Sequence, residues 1–201
     1  MKPISLSLLA VVPVLALSLA AARPEDKKAV DPSGSYAVDP VHSTVIFKCK
    51  HLDTSWAFGR FDTIAGTVKF DAAKPENSTV DITIQTESVN TNDAKRDGHL
   101  KSPDFFDAKQ FPTATFKSKS VAKKGDKSFA ITGDLSLHGV TKSVTIDMEH
   151  TGTSDDARMG KKIGFFGTVT LKRGDYGMKY GQGMLGEDVQ VTLSVEADAQ
   201  K

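Results

Sequence analysis

Apolar and polar residues alternate along most of the chain after residue 35, and this alternation restricts the fold more than any other feature. Strict alternation is typical of a β-strand with one buried face. One example is the segment 79–85, in which Val80, Ile82 and Ile84 alternate with polar side chains. About eight such segments follow one another, so the sequence predicts an antiparallel sheet with one apolar face.

The predicted sheet must bury its apolar face against itself, because no segment could form an amphipathic helix long enough to cover it. Glycines at positions 66, 133 and 167 interrupt the strand patterns and indicate bulges or bends that favour closure. Tight hairpins are predicted at 138–139 and 123–126, a polar loop at 151–162 and an irregular stretch at 172–187. The fold class is therefore all-β, a barrel or a sandwich. An eight-stranded barrel can be filled by its own side chains or can hold a ligand.

One segment, residues 96–118, breaks the alternation. It combines charged residues and His99 with two prolines and four phenylalanines. Long connections in compact domains tend to be functional or disordered, and this one is too rich in phenylalanine for disorder. Asn92-Asp93 is a suitable N-cap for a helical stretch from Ala94 to Lys101. The sequence therefore predicts one structured helical excursion between strands.

The N-terminus has the composition of a secretory signal peptide. Residues 1–22 combine Lys2, a mostly apolar run and Ala20-Ala21-Ala22. A membrane anchor is the alternative, but the run is marginal in length for a span. Residues 23–34 are predicted to be a flexible lead-in, which leaves 35–198 as the folded domain. Cys49 is the single cysteine, so no internal disulfide is expected, and its apolar surroundings favour a buried, inert thiol.

The chain carries few signals for catalysis or metal binding. Its five histidines lack zinc-ligand spacing, and it has neither a nucleophile elbow nor an identifiable Cys–His pair. The net charge of +1 gives no reason to expect a nucleic-acid partner. We therefore expect no metal, no cofactor and no catalytic residue. Trp56 is placed in a loop after the strand ending at His51, where it would either plug one barrel end or line a ligand mouth.

The segment 91–118 resembles the signature of the YceI-like family. That pattern has a strand ending in Ser-Val, an Arg-Asp-x-His-Leu-(Lys/Arg)-Ser-x-Asp-Phe run, an aromatic-Pro pair and a Phe-x-Ser strand. The matching residues here are Ser88-Val89, Arg96-Asp97, His99-Leu100-Lys101-Ser102, Asp104-Phe105, Phe111-Pro112 and Phe116-Lys117-Ser118. Further matches run from Tyr36 to Glu196, while Asp53 and Tyr176 depart from the usual Gly and Phe.

The resemblance implies a lipocalin-like, eight-stranded antiparallel barrel that is usually periplasmic in bacteria. It implies an apolar cavity holding a polyisoprenoid, an isoprenoid quinone or a similar long-chain lipid. Because residues 1–22 are predicted to be a signal peptide, we expect that the protein does not span the membrane. The oligomeric state is open, with a homodimer as one alternative. The predicted apolar lining residues are Phe47, Val68, Phe70, Ile82, Ile84, Phe116, Phe129, Ile131, Leu135, Ile146, Met148, Phe165 and Val191.

Four further residues are predicted near the cavity mouth: His51, Trp56, Arg96 and His99. The three polar ones could hydrogen-bond a quinone or alcohol head group, or they could tie the excursion to the barrel rim. For Arg96 we favour a structural pairing with Asp97. Two other functions remain open at this point. One is an enzyme acting on a lipid or quinone head group through His51 or His99, and the other is a stress protein with a filled barrel.

Overall fold

The computed structural model describes residues 29–200, and the predicted signal peptide at 1–22 lies outside them. One α-helix, α1 (Ala94–Leu100), accompanies three short 3-10 turns at Pro75–Asn77, Thr86–Ser88 and Arg173–Tyr176. The strands are β1 (Gly34–Val38), β2 (Thr44–His51), β3 (Ser55–Phe61), β4 (Ile64–Phe70), β5 (Thr79–Gln85), β6 (Val89–Asn90), β7 (Thr113–Lys123), β8 (Ser128–Leu137), β9 (Val140–Asp156), β10 (Gly160–Lys172) and β11 (Leu185–Ala199). Within the described range, no helix combines the length and the apolar character needed to cross a membrane.

The strands form one closed antiparallel barrel. The sheet order is β1-β4-β5-β7-β8-β9-β10-β11-β2-β3-β6, with a further pairing between β1 and β11. One edge of β11 pairs with β1 near Ala197 and with β2 between Leu185 and Ser194. β1 and β2 are thus two halves of one bent strand. In the same way β3 and β4 form the second strand of the ring, and β5 and β6 form the third, because β4 pairs with β5 and β3 pairs with β6. The ring therefore contains eight strands, which confirms the predicted fold.

The excursion between β6 and β7 is ordered and begins with the predicted helix. Asp93 is the N-cap of α1, and its side chain accepts a hydrogen bond from the Arg96 N–H at 2.8 Å. After α1 the chain folds back, since Phe106 N–H donates to the Leu100 carbonyl and Phe111 N–H donates to the Asp107 carbonyl. The excursion is therefore a compact cap and confirms the structure expected of it.

The tightest hairpin is the predicted turn at His138-Gly139. β8 ends at Leu137 and β9 begins at Val140, so the loop contains only these two residues. Both have positive φ, 52° and 73°, as a type I′ turn requires. A Cβ on Gly139 would also lie 2.6 Å from the Phe111 ring. This glycine is thus needed for the turn and for the close approach of the excursion.

The structure differs from three expectations about irregular segments. The predicted loop at 151–162 is mostly strand, because β9 and β10 extend as a hairpin with Asp156 paired to Gly160. Both faces of that extension contact solvent, so apolar and polar residues do not alternate in its sequence. The predicted loop containing Trp56 is β3. The predicted lead-in ends earlier than expected, since Gly34 belongs to β1 and the Ser33 carbonyl accepts a hydrogen bond from Lys161 Nζ.

One end of the barrel is closed by its own side chains. Tyr36, Ile163 and Ala197 are almost completely buried there. The imidazole of His150 packs against the rings of both Phe70 and Phe165, with centroid separations of 5.9 and 5.6 Å. Burial lowers the pKa of His150, so this histidine is neutral in the folded protein at neutral pH.

We expect His150 to make the protein less stable in acid. The unfolded chain binds a proton at His150 more readily than the folded one, so its contribution to stability is complete above about pH 6.5 and is lost as the pH falls. Thermal denaturation of the wild type and of His150→Gln at pH 8 and pH 5 checks this. The Tm of the wild type should fall more on acidification than that of the variant. Parallel pH profiles would contradict the assignment.

A charged cluster fastens the bend between β1 and β2 to β10 and β11. The Lys162 ammonium lies 3.5 Å from Asp39 and 3.2 Å from Glu196, and it also contacts Asp198. His42 Nδ1 lies 2.7 Å from an Asp39 carboxylate oxygen, and this hydrogen bond is the main reason that the pKa of Asp39 falls to about 2. Asp39, His42 and Glu196 could ligate a cation, but Lys162 already supplies positive charge to them.

Candidate functional site

A cavity of about 470 Å³ runs through the interior of the barrel. Along β11 its wall extends from Leu185 to Val195, which corresponds to about 33 Å of strand at 3.3 Å per residue. Strands in such barrels tilt by about 40°, so the wall covers roughly 25 Å along the barrel axis. The cavity is therefore long and narrow, and the barrel is not filled by its own side chains.

The cavity wall contains every predicted apolar lining residue. Strand alternation places these side chains on the inner face, and each belongs to the wall. Several narrow the cavity towards the closed end, where the ring of Phe70 packs edge-on against Phe129 and Phe165 at 5.3 and 5.5 Å. The residues brought together are Phe47, Val68, Phe70, Ile82, Ile84, Phe116, Phe129, Ile131, Leu135, Ile146, Met148, Phe165 and Val191.

Trp56 is the one predicted lining residue that the structure places elsewhere. It pairs with Lys50 across β2 and β3 and is absent from the cavity wall. The Nζ atoms of Lys48 and Lys50 each lie 4.7 Å from the centre of its ring. The loop predicted around Trp56 is therefore wrong, and its ring lies outside the cavity. A loop leaves the direction of a side chain open, whereas β3 fixes Trp56 on the face opposite Ala57.

The open end of the cavity is lined by the excursion and by the loop between β10 and β11. Phe106 projects from the excursion into the barrel and packs edge-on against Phe61 and Phe47, with centroid separations of 5.2 and 6.2 Å. Tyr180 and Met184, from the other loop, line the cavity and are also about half exposed. The mouth therefore lies where these two segments meet.

The predicted polar residues all border this cavity. Arg96 does not pair with Asp97. Its Nε and a terminal nitrogen donate to the Oγ1 and carbonyl oxygen of Thr91, each at 2.8 Å, while the Thr91 hydroxyl donates to Asp97. His99 Nε2 lies 2.8 Å from an Asp104 carboxylate oxygen. Both side chains thus hold the excursion together while bordering the cavity.

Arg173 organises the second mouth loop, and sequence reasoning missed it. Its guanidinium is 5% exposed, and it donates to the carbonyl oxygens of Met178, Tyr180, Leu185 and Gly186 at 2.6–3.2 Å. The sequence predicts only an irregular stretch at 172–187, in which Arg173 is accompanied by five glycines. Nothing in that composition identifies the carbonyl groups that the guanidinium contacts.

Cys49 lies in the cavity wall rather than in a packed core. It is only partly buried, and burial raises the pKa of its thiol. Its apolar, inward-facing position agrees with the expectation of low reactivity, because less thiolate is present at a given pH.

Cys49 should therefore report whether the cavity is occupied. We expect its reaction with a water-soluble disulfide reagent at pH 8 to be slower than in the unfolded chain, because less thiolate is present. A bound long-chain lipid should slow it further by covering the thiol. Absorbance assays with and without added lipid measure both effects, and Cys49→Ser gives the background. Equal rates with and without lipid would show that the ligand does not reach β2.

The fold and the cavity together define a lipocalin-like barrel with an apolar interior that is open at one end. A model of the YceI-like domain matches residues 36–197, and the chain belongs to that family. A UPF0312 protein of Pseudomonas aeruginosa is 46% identical over 155 residues, which cover 77% of this chain and 81% of the relative.

Two solved structures have the same barrel fold. BcnA of Burkholderia cenocepacia superposes with a TM-score of 0.71 at 26% identity, covering 80% of this chain and 99% of that protein. A polyisoprenoid-binding domain from Saccharophagus degradans superposes with a TM-score of 0.65 at 18% identity, covering 82% of this chain and 98% of that domain. These similarities agree with the eight-stranded barrel described above.

Proposed function

We propose that this protein binds and carries a long-chain isoprenoid lipid, such as a polyisoprenoid or an isoprenoid quinone, inside the barrel. The observation that carries the proposal is the continuous apolar wall around a narrow cavity of about 470 Å³. Such a shape suits an extended hydrocarbon chain better than a compact ligand. The structural neighbour from Saccharophagus degradans is described as polyisoprenoid-binding, and the shared fold is compatible with the same role here.

Burial of the hydrocarbon chain in the cavity is sufficient to give the lipid a measurable affinity. Each buried methylene contributes about 0.8 kcal/mol, so about 15 buried carbons would contribute roughly 12 kcal/mol. Association costs at least about 4 kcal/mol, which leaves a dissociation constant near the micromolar range. This mechanism requires no reactive group in the protein. His51, Arg96 and His99 border the cavity and could hydrogen-bond a carbonyl or hydroxyl head group.

We also propose that the protein acts in the periplasm after export. The support is the composition of residues 1–22, which matches a signal peptide. Intact-mass analysis of the protein from a periplasmic fraction should show a chain that begins close to Arg23. A full-length chain found only in the cytoplasm would overturn this part of the proposal.

Solvent extraction of the purified protein, followed by mass spectrometry, tests the proposed ligand. We expect a stoichiometric lipid with a long isoprenoid chain. After delipidation, the protein should take up a long-chain quinone from detergent micelles. If no lipid is extracted and none is taken up, lipid binding is wrong for this chain.

An enzyme acting on the lipid head group is the second candidate, and one observation favours it. His99 is paired with Asp104 at the mouth, an arrangement that can orient an imidazole for proton transfer. Turnover that disappears in His99→Ala while lipid binding persists would support catalysis. If the wild type binds the lipid but shows no turnover, lipid carriage is left as the function.

A further inference from the structure

Exposed apolar and basic side chains cluster at the tip of the β2–β3 hairpin, beside the cavity mouth. We call this cluster the tip patch, and it consists of Lys48, Lys50, Leu52, Trp56, Phe58 and Met184. Leu52, Phe58 and Met184 are exposed to 53%, 56% and 51%. Single apolar residues are normal on a protein surface, but a contiguous exposed cluster marks an interaction site.

The basic residues of the tip patch are interleaved with its aromatic rings. Lys48 lies directly opposite Phe58, and Lys50 lies directly opposite Trp56. Within residues 29–200, neither ammonium has a carboxylate at ion-pair distance, and both instead lie over the Trp56 ring. The acidic residues that follow Leu185 are already engaged: Glu187 accepts from the Gly174 N–H, and Asp188 accepts from Lys172. The tip patch thus carries two lysines without a carboxylate at ion-pair distance in the described chain, and Asp53 in the adjoining turn adds one exposed negative charge.

Neither burial nor turn geometry accounts for the leucine at the tip. Leu52 and Asp53 have φ angles of 52° and 54°, in the left-handed region that disfavours a branched apolar side chain. Asn or Gly would suit this position better. An unfavourable backbone conformation combined with an exposed apolar side chain is an observation from which a function can be inferred.

The tip patch is continuous with the mouth of the cavity. Met184 belongs to the cavity wall as well as to the exposed surface, and Phe58 directly follows the wall residue Ala57 on β3. The Leu52 N–H donates to the Met184 carbonyl at 2.7 Å, which joins the hairpin tip to the mouth loop. A hydrocarbon chain leaving a surface in contact with this patch could enter the cavity without crossing water.

We propose that the tip patch docks the protein on a bilayer surface that contains anionic phospholipid. Tryptophan and lysine are suited to this environment, because each has an apolar body and a polar end that stays at the head-group level. Lysines close to an anionic leaflet are attracted to it, and apolar tip residues can enter the boundary with the acyl chains. This inference goes beyond the proposed lipid binding, since it assigns the surface through which lipid would be exchanged.

The electrostatic part is tested with sedimented vesicles of phosphatidylcholine alone or mixed with phosphatidylglycerol. Each lysine near such a surface changes the affinity about fivefold, so Lys48→Gln with Lys50→Gln should weaken binding to the mixed vesicles about 25-fold. The matched control, Lys117→Gln with Lys123→Gln on β7, makes the same charge change away from the tip patch. We expect the control to bind like the wild type. Equal weakening by both pairs would overturn a specific docking surface.

The apolar part is tested with Leu52→Asn, which removes the exposed side chain while suiting the left-handed turn. We expect weaker vesicle binding together with an unchanged or higher Tm. A destabilised fold therefore cannot explain the loss. Asp53→Asn, which removes a negative charge at the tip, should strengthen binding to the anionic vesicles. If Leu52→Asn binds as the wild type does, the tip does not enter the bilayer.

A second copy of this chain could also cover an apolar surface, and the same variants distinguish it. Three results together would show that the bilayer proposal is wrong. The wild type would form a concentration-dependent dimer in analytical ultracentrifugation, Leu52→Asn would be monomeric, and neither protein would bind vesicles. Uptake of a quinone from detergent micelles separates docking from ligand binding. Docking variants should keep that uptake but load more slowly from anionic vesicles. If the wild type takes up no quinone from detergent micelles, the proposed function is contradicted instead.

Discussion

Replacing Arg173 with methionine is expected to destabilise the protein by about 3 kcal/mol and to disorder the loop that lines the cavity mouth. Leaving a buried hydrogen-bond acceptor without its donor typically costs about 1–3 kcal/mol. Here the loss would leave four backbone carbonyls without their donor, at a position where the guanidinium is 5% exposed. For a chain of this size, the corresponding fall in Tm is roughly 6–12 °C.

Lys172→Met provides the matched control for Arg173→Met. It removes a neighbouring positive charge whose partner, Asp188, is also exposed, so its effect on stability should be much smaller. Hydrogen exchange locates the change. Amides in 176–186 should exchange faster in Arg173→Met but not in Lys172→Met. Equal Tm values for the two variants would show that Arg173 does not organise the mouth loop.

Filling the cavity from β11 should have the largest effect on lipid binding. Val191→Trp places an indole in the middle of the inner wall. If the ligand loses about 120 Å² of apolar contact, binding weakens by about 3 kcal/mol, which is more than 100-fold. Fluorescence titration with a long-chain quinone in detergent measures this loss.

Gln190→Trp is the control for Val191→Trp, because it introduces the same ring one residue away on the outer face of β11. Its affinity for the quinone should match that of the wild type. Circular dichroism and Tm establish that both variants are folded. Tight binding by a folded Val191→Trp would place the ligand outside the barrel.

Signals that act between neighbouring residues predicted secondary structure correctly, whereas features that depend on distant parts of the chain did not follow from the sequence. The alternation at 79–85 predicted β5 correctly, and Asp93 predicted the start of α1, because both signals act within a few residues. The loop expected at 151–162 was wrong because a strand that is wet on both faces has no alternation to detect. The loop predicted around Trp56 was wrong for a related reason. The side that Trp56 faces is fixed only because Ser55–Phe61 forms a strand that pairs with β2.

The sequence by itself determined an all-β fold with one helical excursion and one apolar face, while the choice of a barrel over a sandwich came from the family resemblance. Strand periodicity and helix capping are properties of neighbouring residues, so they can be deduced from the sequence. Only the tertiary structure decided that the interior holds a cavity, because empty space depends on the distances between side chains from different strands. It also decided the role of Arg173, whose four acceptors come from a loop that closes on it only in the folded chain.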